Sequence, residues 1–446
     1  MGTGTLRWTE LALLSAPWAG VGLFHLVLGR SLGAGIQPAY IPLLALVVTV
    51  AWSTSRNRDD NWFGLWTIAL GWTLITTTWT WTRDVVGLAG DVPWEKSLKQ
   101  AVLWCFFVTA AVSTAVVVRA RGARAFERAA TLGLGLAAVV GLIQAVSFHG
   151  GIPGGSLLER IVSSNPSIAS GSGELYLGDR FVGIPRVRGP FPEPLHFGSY
   201  LVAAVPIAVA GAWVHHGRAR AWRVGVALLG ALCLVMTFSR GAWAGAFVVV
   251  LAVGVGMARR ILPAPPLRVG IASAVGCVAV GLVAAPVLTG HGLFDLPGLV
   301  AQRVAQSFAA HDMSNLTRFW SWRVAWDLFA ERPVQGIGWG GFGFWYFERA
   351  GSMGSGAHFG WPMVNNLPLQ LLAELGAAGF LLWAAVLTPG MRALGASRPA
   401  PEAFLLACAV AGTLVHLLTF SQWDLPHLWI LFGAAVGAGS RIPRVV

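Results

Sequence analysis

Charge is what this sequence has least of. Only 11% of its 446 residues are Asp, Glu, Lys or Arg, while 55% are hydrophobic and mean hydropathy is +0.66. An average soluble domain carries roughly 25% charged residues. The deficit excludes an ordinary soluble protein and leaves a polytopic integral membrane protein. Cysteine is scarce too: Cys105, Cys233, Cys277 and Cys408 stand far apart within apolar segments. They read as small buried residues and leave the redox compartment undetermined. Internal repeats, low-complexity tracts and a separate soluble domain are not evident, so 1–446 reads as a single membrane domain. The first apolar stretch follows Arg7 and Glu10 without a clear A-x-A cleavage site and reads as a retained span.

What is there instead is a succession of long apolar runs. A span needs roughly 20 mostly apolar residues, and that rule predicts twelve, at 11–29, 36–54, 61–82, 98–118, 129–148, 195–214, 222–239, 241–258, 268–289, 366–388, 402–420 and 425–440. The expected fold is all-α, with about twelve transmembrane helices and a large, partly helical outer loop. Lys and Arg in alternating loops divide 17 to one side and 5 to the short loops of the other. That asymmetry places both termini in the cytoplasm, because basic residues in short loops stay inside. Most of the +12 net charge is therefore a topology signal, and no nucleic-acid partner is needed. The same arrangement puts 149–194 and 290–365 outside.

These two outer segments carry the informative residues. "NLTRFWSWRVAWDLFAERP", 315 to 333, repeats Phe319, Trp322, Trp326 and Phe329 at helical spacing before Pro333. It suits a helix lying on the membrane surface or a lid on the bundle. In "GIGWGGFGFW", Gly336, Gly338 and Gly341 satisfy G-x-G-x-x-G, but no βαβ context surrounds them, so close backbone approach to a sugar or a helix is the expected use. "RVRGPFPEPLHFGSYL" crowds Arg186, Arg188, Glu193 and His196 at the entry to a span, either as an interfacial anchor or as part of a site. Arg240 stands in an apolar run where two spans turn. An arginine at membrane depth is costly, so it either snorkels to headgroups or faces a partner, and its neighbours Ser239 and Gly241 point to a tight polar turn.

Taken together, "RVRGPFPEPLHFGSYL", "TFSRGAW", "RFWSWRVAWDLFAERPVQGIGWGGFGFW" and "NNLPLQLLAELGAAG" resemble the O-antigen ligase and polymerase superfamily of bacterial membrane glycosyltransferases. The resemblance covers residues 186 to 379, a little under half of the chain. It implies a twelve-span enzyme of the bacterial inner membrane that takes a glycan from a polyprenyl diphosphate-linked oligosaccharide to a glycan or lipid acceptor at the outer face. It implies no cofactor and no metal. Arginines suit the departing diphosphate, which assigns Arg188, Arg240 and Arg318 to it, with Arg186 and Arg323 behind them. One position departs from the family: where ligases commonly have His-Asn, with the histidine as base, this chain has Asn365 followed by Asn366. An asparagine orients a hydroxyl but accepts no proton. The base role then passes to His358, His196, Glu193 or Glu374, Glu374 being equally readable as a structural residue. Asn366 and Trp339 are the candidates for contact with sugar or acceptor. The departure favours polymerase over ligase, and a transporter of lipid-linked sugars is the alternative.

Overall fold

The computed structural model describes residues 3–23, 36–54, 61–81, 92–150, 155–165, 180–181, 184–262, 296–306, 313–350 and 362–441. These form α1 (Thr3–Ser15), α2 (Tyr40–Thr54), α3 (Asn61–Trp81), α4 (Pro93–Arg121), α5 (Arg124–Gly150), α6 (Gly155–Val162) and a short hairpin, β1 (Arg180–Phe181) with β2 (Ile184–Pro185). Then follow α7 (Pro194–Val214), α8 (Gly217–Met236), α9 (Arg240–Ala258), α10 (Leu296–Ala305), α11 (Met313–Glu331), α12 (Phe342–Ala350), α13 (Leu367–Gly395), α14 (Pro401–His416) and α15 (Pro426–Gly439). Prolines open α4, α7, α14 and α15, where a missing N–H costs nothing.

Among the described residues, seven helices are long and apolar enough to cross a membrane: α4, α5, α7, α8, α9, α13 and α14 with its final 3₁₀ turn. Shorter apolar helices occur at 40–52 and in α15. The protein is thus a helical, multi-pass membrane protein. Seven of the twelve expected spans coincide with these long helices, and twelve are not established. The one at 268–289 lies outside the described residues, as does Cys277. The one at 11–29 is not a continuous helix: α1 ends at Ser15 ahead of Pro17, and Gly20 is tied by its N–H to the Pro190 carbonyl (2.8 Å) and by its carbonyl to the Asn165 N–H (3.0 Å). The residue before a proline is pushed out of helical backbone, which sets that stop.

The core is built by α4 against α15, α9 against α14, and α7 against α8 and α14. At its centre Trp104 meets Trp339, Trp383, Trp423 and Trp429 at ring distances of 4.3 to 5.0 Å. The basic loops assigned to one side come together at one end of the bundle. There Arg124 pairs with Glu402 (3.1 Å), Arg441 donates to the Arg119 carbonyl (2.6 Å) and Arg259 donates to the Leu394 carbonyl (2.7 Å). Just inside that end, Arg223 grips Glu127 through two contacts of 2.8 Å, both side chains buried.

Helix α13 is interrupted. Gly376 has φ +69° and ψ −177°, and the strap 333–338 fills the break. Ala377 N–H donates to the Pro333 carbonyl (2.7 Å) and Ala378 N–H to that of Val334, while Ile337 and Gly338 N–H groups donate to the Ala373 and Glu374 carbonyls (2.9 Å each). Irregular backbone at membrane depth survives only where protein satisfies it in this way. The glycines of the strap serve approach to a neighbouring helix, as a Cβ on Gly336 would lie 2.5 Å from the Glu374 carbonyl. Helix α11 forms as its spacing predicts and packs on the bundle as a lid. Val324, Ala325 and Leu328 are its buried side, against Ile337, Phe342 and Ala373, whereas Phe319 and Trp326 remain exposed.

Candidate functional site

At the end of the bundle opposite the basic loops, a cavity of about 510 Å³ is lined by Arg186, Arg240, Arg303 and Arg318, with Glu193 and Thr419 among its other walls. Among the described residues, four guanidinium groups and one carboxylate line it, and like charges gathered in this way favour an anion between them.

The turn between α8 and α9 builds it. Helix α8 ends at Met236, and Phe238 takes a left-handed backbone (φ 48°). The carbonyls left free at a helix C-terminus attract cations, and here two arginines use them: Arg186 Nε donates to the Thr237 carbonyl (2.8 Å) and Arg303 Nε to the Phe238 carbonyl (3.0 Å). Ser239 then caps α9, its hydroxyl accepting from the Ala242 N–H (3.4 Å), so Arg240 is the first residue of that helix. Arg240 Nη2 donates to Asn315 Oδ1 on α11 (3.0 Å), while its Nη1 is buried without a hydrogen-bond partner. The next residue must be glycine: a Cβ on Gly241 would lie 1.8 Å from Thr419 Oγ1 and 3.0 Å from His416 Nδ1. Arg318 reaches the cavity from α11, and Leu299 of α10 packs on Phe238, which carries Arg303 into place.

Other expected site residues lie elsewhere. Arg188 is 2% exposed and is not among the described residues that line the cavity. Its guanidinium pairs with Glu159, donates to Ser163 and to the Phe191 carbonyl (2.6 Å), and so fastens α6 to the 188–191 turn. Both terminal nitrogens of its guanidinium are thus engaged within the protein. Arg323 is exposed on α11 with its guanidinium 5.7 Å from the Trp320 ring, away from the cavity. Trp339 is fully buried in the tryptophan cluster and offers no face to a sugar. Asn366 caps α13, its Oδ1 accepting from the Leu369 N–H (3.0 Å). Glu374 is buried and accepts from the Phe342 N–H (2.9 Å) and Gln370 (3.3 Å), which fits the structural reading. His358 lies outside the described residues.

Asn365 and His196 are brought to one loop, 420–425, between α14 and α15. Asn365, in left-handed backbone (φ 56°), donates its N–H to Ser421 Oγ (3.0 Å), and His196 Nε2 is 3.1 Å from Gln422 Oε1. Glu193 lines the cavity directly. Sequence reasoning missed Arg303 and this loop. "LVAQRVAQ", around Arg303, carries only ordinary helical spacing, and "FSQWD" reads as a turn between spans. The neighbouring Asp424 carboxyl is held above the ordinary carboxylate range by burial, against the opposing pull of His196 and a Gln422 hydrogen bond.

No curated protein matches the chain. Residues 224–384 match the family described as O-antigen ligase. The matched stretch includes Arg240, Arg303, Arg318, Asn365 and the strapped break of α13, whereas Arg186, His196 and the 420–425 loop fall outside it. This match supports a relation to the O-antigen ligase/polymerase superfamily for residues 224–384, a little over a third of the chain.

Proposed function

We propose that this protein is a glycosyltransferase that moves a glycan from a polyprenyl diphosphate-linked donor onto an acceptor hydroxyl, at the outer face of the bacterial inner membrane, with both termini in the cytoplasm. The observation that carries the reading is the convergence of Arg186, Arg240, Arg303 and Arg318 on one cavity, with Arg240 Nη1 left unpartnered. A diphosphate supplies the missing negative charge and acceptor atoms, and planar guanidinium groups match its oxygens. Outside the cytoplasm the bond energy for transfer comes from the lipid diphosphate itself. As the glycosyl bond breaks, charge builds on the leaving diphosphate, and fixed arginines stabilise that change more than the bound substrate. Arg188 has no part in this reading, and Arg303 takes its place.

Asn365, pinned through its backbone N–H to Ser421 and donating its side-chain amide to the Met363 carbonyl (3.4 Å), orients the acceptor through its side-chain oxygen. Its presence where ligases of the family commonly carry histidine favours a polymerase, in which the acceptor is a growing glycan. A transporter of lipid-linked sugars would use broken helices to hold its cargo. The break in α13 is instead filled by the chain's own strap, which supports the enzyme.

The test is transfer by the purified protein in lipid. Supplied with an undecaprenyl diphosphate-linked oligosaccharide, it is expected to yield an elongated or transferred glycan and free undecaprenyl diphosphate by mass spectrometry. Movement of intact donor across the bilayer without cleavage would establish the transporter instead.

A further inference from the structure

Arg240 reaches α11 through one nitrogen. Its Nη2 donates to Asn315 Oδ1 (3.0 Å), and the Asn315 amide in turn donates through Nδ2 to the Gln306 backbone carbonyl (2.9 Å). The two contacts fix which way the amide points. A guanidinium only donates and a carbonyl only accepts, so Oδ1 must face Arg240 and Nδ2 must face Gln306. The Gln306 side chain accepts from Arg303 Nη1 at Oε1 (2.8 Å), while Arg303 Nε donates to the Phe238 carbonyl (3.0 Å), two residues ahead of Arg240. Asn315 and Gln306 thus close a ring of hydrogen bonds that starts and ends on the 238–240 turn and holds two of the four cavity arginines. Asn315 is 7% exposed and is not among the described residues that line the cavity. Its contact leaves Arg240 Nη1 buried with no hydrogen-bond partner.

A neutral partner at this point has a chemical consequence. Where a buried arginine meets a carboxylate, as Arg188 meets Glu159, the pair cancels the charge within the protein. An amide oxygen fixes the plane of the guanidinium but brings no charge of its own, so the positive charge of Arg240 stays available to an anion. An aspartate could not take the place of Asn315 in this ring, because a carboxylate has no N–H to give the Gln306 carbonyl. We propose that Asn315 is a positioning residue of the arginine cavity: it holds Arg240 by Nη2, sets the guanidinium plane against Gln306 and Arg303, and leaves Nη1 and an uncancelled charge for the donor diphosphate. The inference rests on the glycosyl transfer proposed above. Asn315 touches no substrate in this account and acts through Arg240.

Transfer is to be measured with full-length protein in lipid, using the undecaprenyl diphosphate-linked oligosaccharide, as kcat and KM normalised to the monodisperse fraction. Asn315→Ala should lower kcat about tenfold to a hundredfold, the worth of one hydrogen bond to a charged group, and change the donor KM far less. In an Arg240→Ala background the same substitution should cost less than about threefold, because its effect passes through Arg240 and coupled residues are not additive. A contact that only braces α11 would instead give the same fold loss in both backgrounds. Asn315→Asp keeps an acceptor for Arg240 but cancels its charge, and should lose about tenfold or more in kcat/KM. It carries the test should Asn315→Ala not reach a monodisperse state. Equal losses in the two backgrounds, wild-type turnover in Asn315→Ala, or wild-type kcat/KM in Asn315→Asp overturns this inference alone, provided the wild-type protein transfers glycan. No transfer by the wild type overturns the proposed function and this inference with it.

Discussion

Arg240 offers the sharpest perturbation of the cavity. Its guanidinium holds Asn315 with Nη2 and leaves Nη1 unpartnered, in a cavity shared with three other arginines. A unit charge about 4 Å from a phosphate oxygen is worth about 4 kcal/mol at the effective dielectric of a partly buried site. The remaining three arginines keep the donor bound, so removal of one should appear in turnover more than in affinity. Loss of one preorganised donor costs about 2.7–4 kcal/mol, a hundredfold to a thousandfold in rate, and that is the expected fall for Arg240→Ala. Arg240→Lys keeps the charge but cannot hold Asn315 and a phosphate oxygen from one rigid plane. It should lose about tenfold, or about 1.4 kcal/mol. The assay is glycan release from an undecaprenyl diphosphate-linked donor, normalised to the monodisperse fraction, because the Asn315 contact also steadies α11. If Arg240→Ala matches wild-type turnover per folded molecule, or if Arg240→Lys is silent while Arg240→Ala only lowers yield, the arginine is a membrane anchor and the argument for the cavity fails.

Three further outcomes follow from the packing. Arg188→Ala removes a buried guanidinium from a Glu159 that is partly exposed and still hydrogen-bonded to Gln144, and should lower thermal stability by about 1–3 kcal/mol, with turnover per folded molecule within about twofold of wild type; a selective loss of turnover would return Arg188 to the site. Glu127→Ala strands the Arg223 charge and should cost about 3–5 kcal/mol in denaturant unfolding, whereas replacing both residues by apolar ones of like volume should recover most of it; equal loss in the double variant would refute the ion-pair account. Gly376→Ala puts a Cβ 2.2 Å from the Val334 carbonyl at φ +69°, so the strap must leave the break in α13; limited proteolysis at 333–341 should accelerate at least tenfold, since cleavage tracks the opened population, and an unchanged digest would show that the strap does not depend on this glycine.

Hydropathy and basic-residue counting suffice to read the membrane character, most helix positions and the grouping of loops at two ends, because a bilayer acts on each segment independently of its partners. Local chemistry also made the 237–241 turn and the helix at 313–331 legible, since capping and helical spacing act within a few residues. What a side chain faces across the bundle is a different matter. Arg188 and Arg240 look alike in their motifs, yet Arg188 meets Glu159 and is used up, while Arg240 meets Asn315 and is left with an unpaired donor. Trp339, flanked by glycines in an outer segment, reads as a sugar platform until Trp104 and Trp423 enclose it. Arg303 has no motif at all; the carbonyl of Phe238, 65 residues earlier, makes it part of the cavity. His196 and Gln422 are 226 residues apart, and only the fold brings them within 3.1 Å. Residue type and local backbone are set by short-range interactions, but whether a buried charge is satisfied or available depends on its partner, and only the tertiary fold brings the partners together.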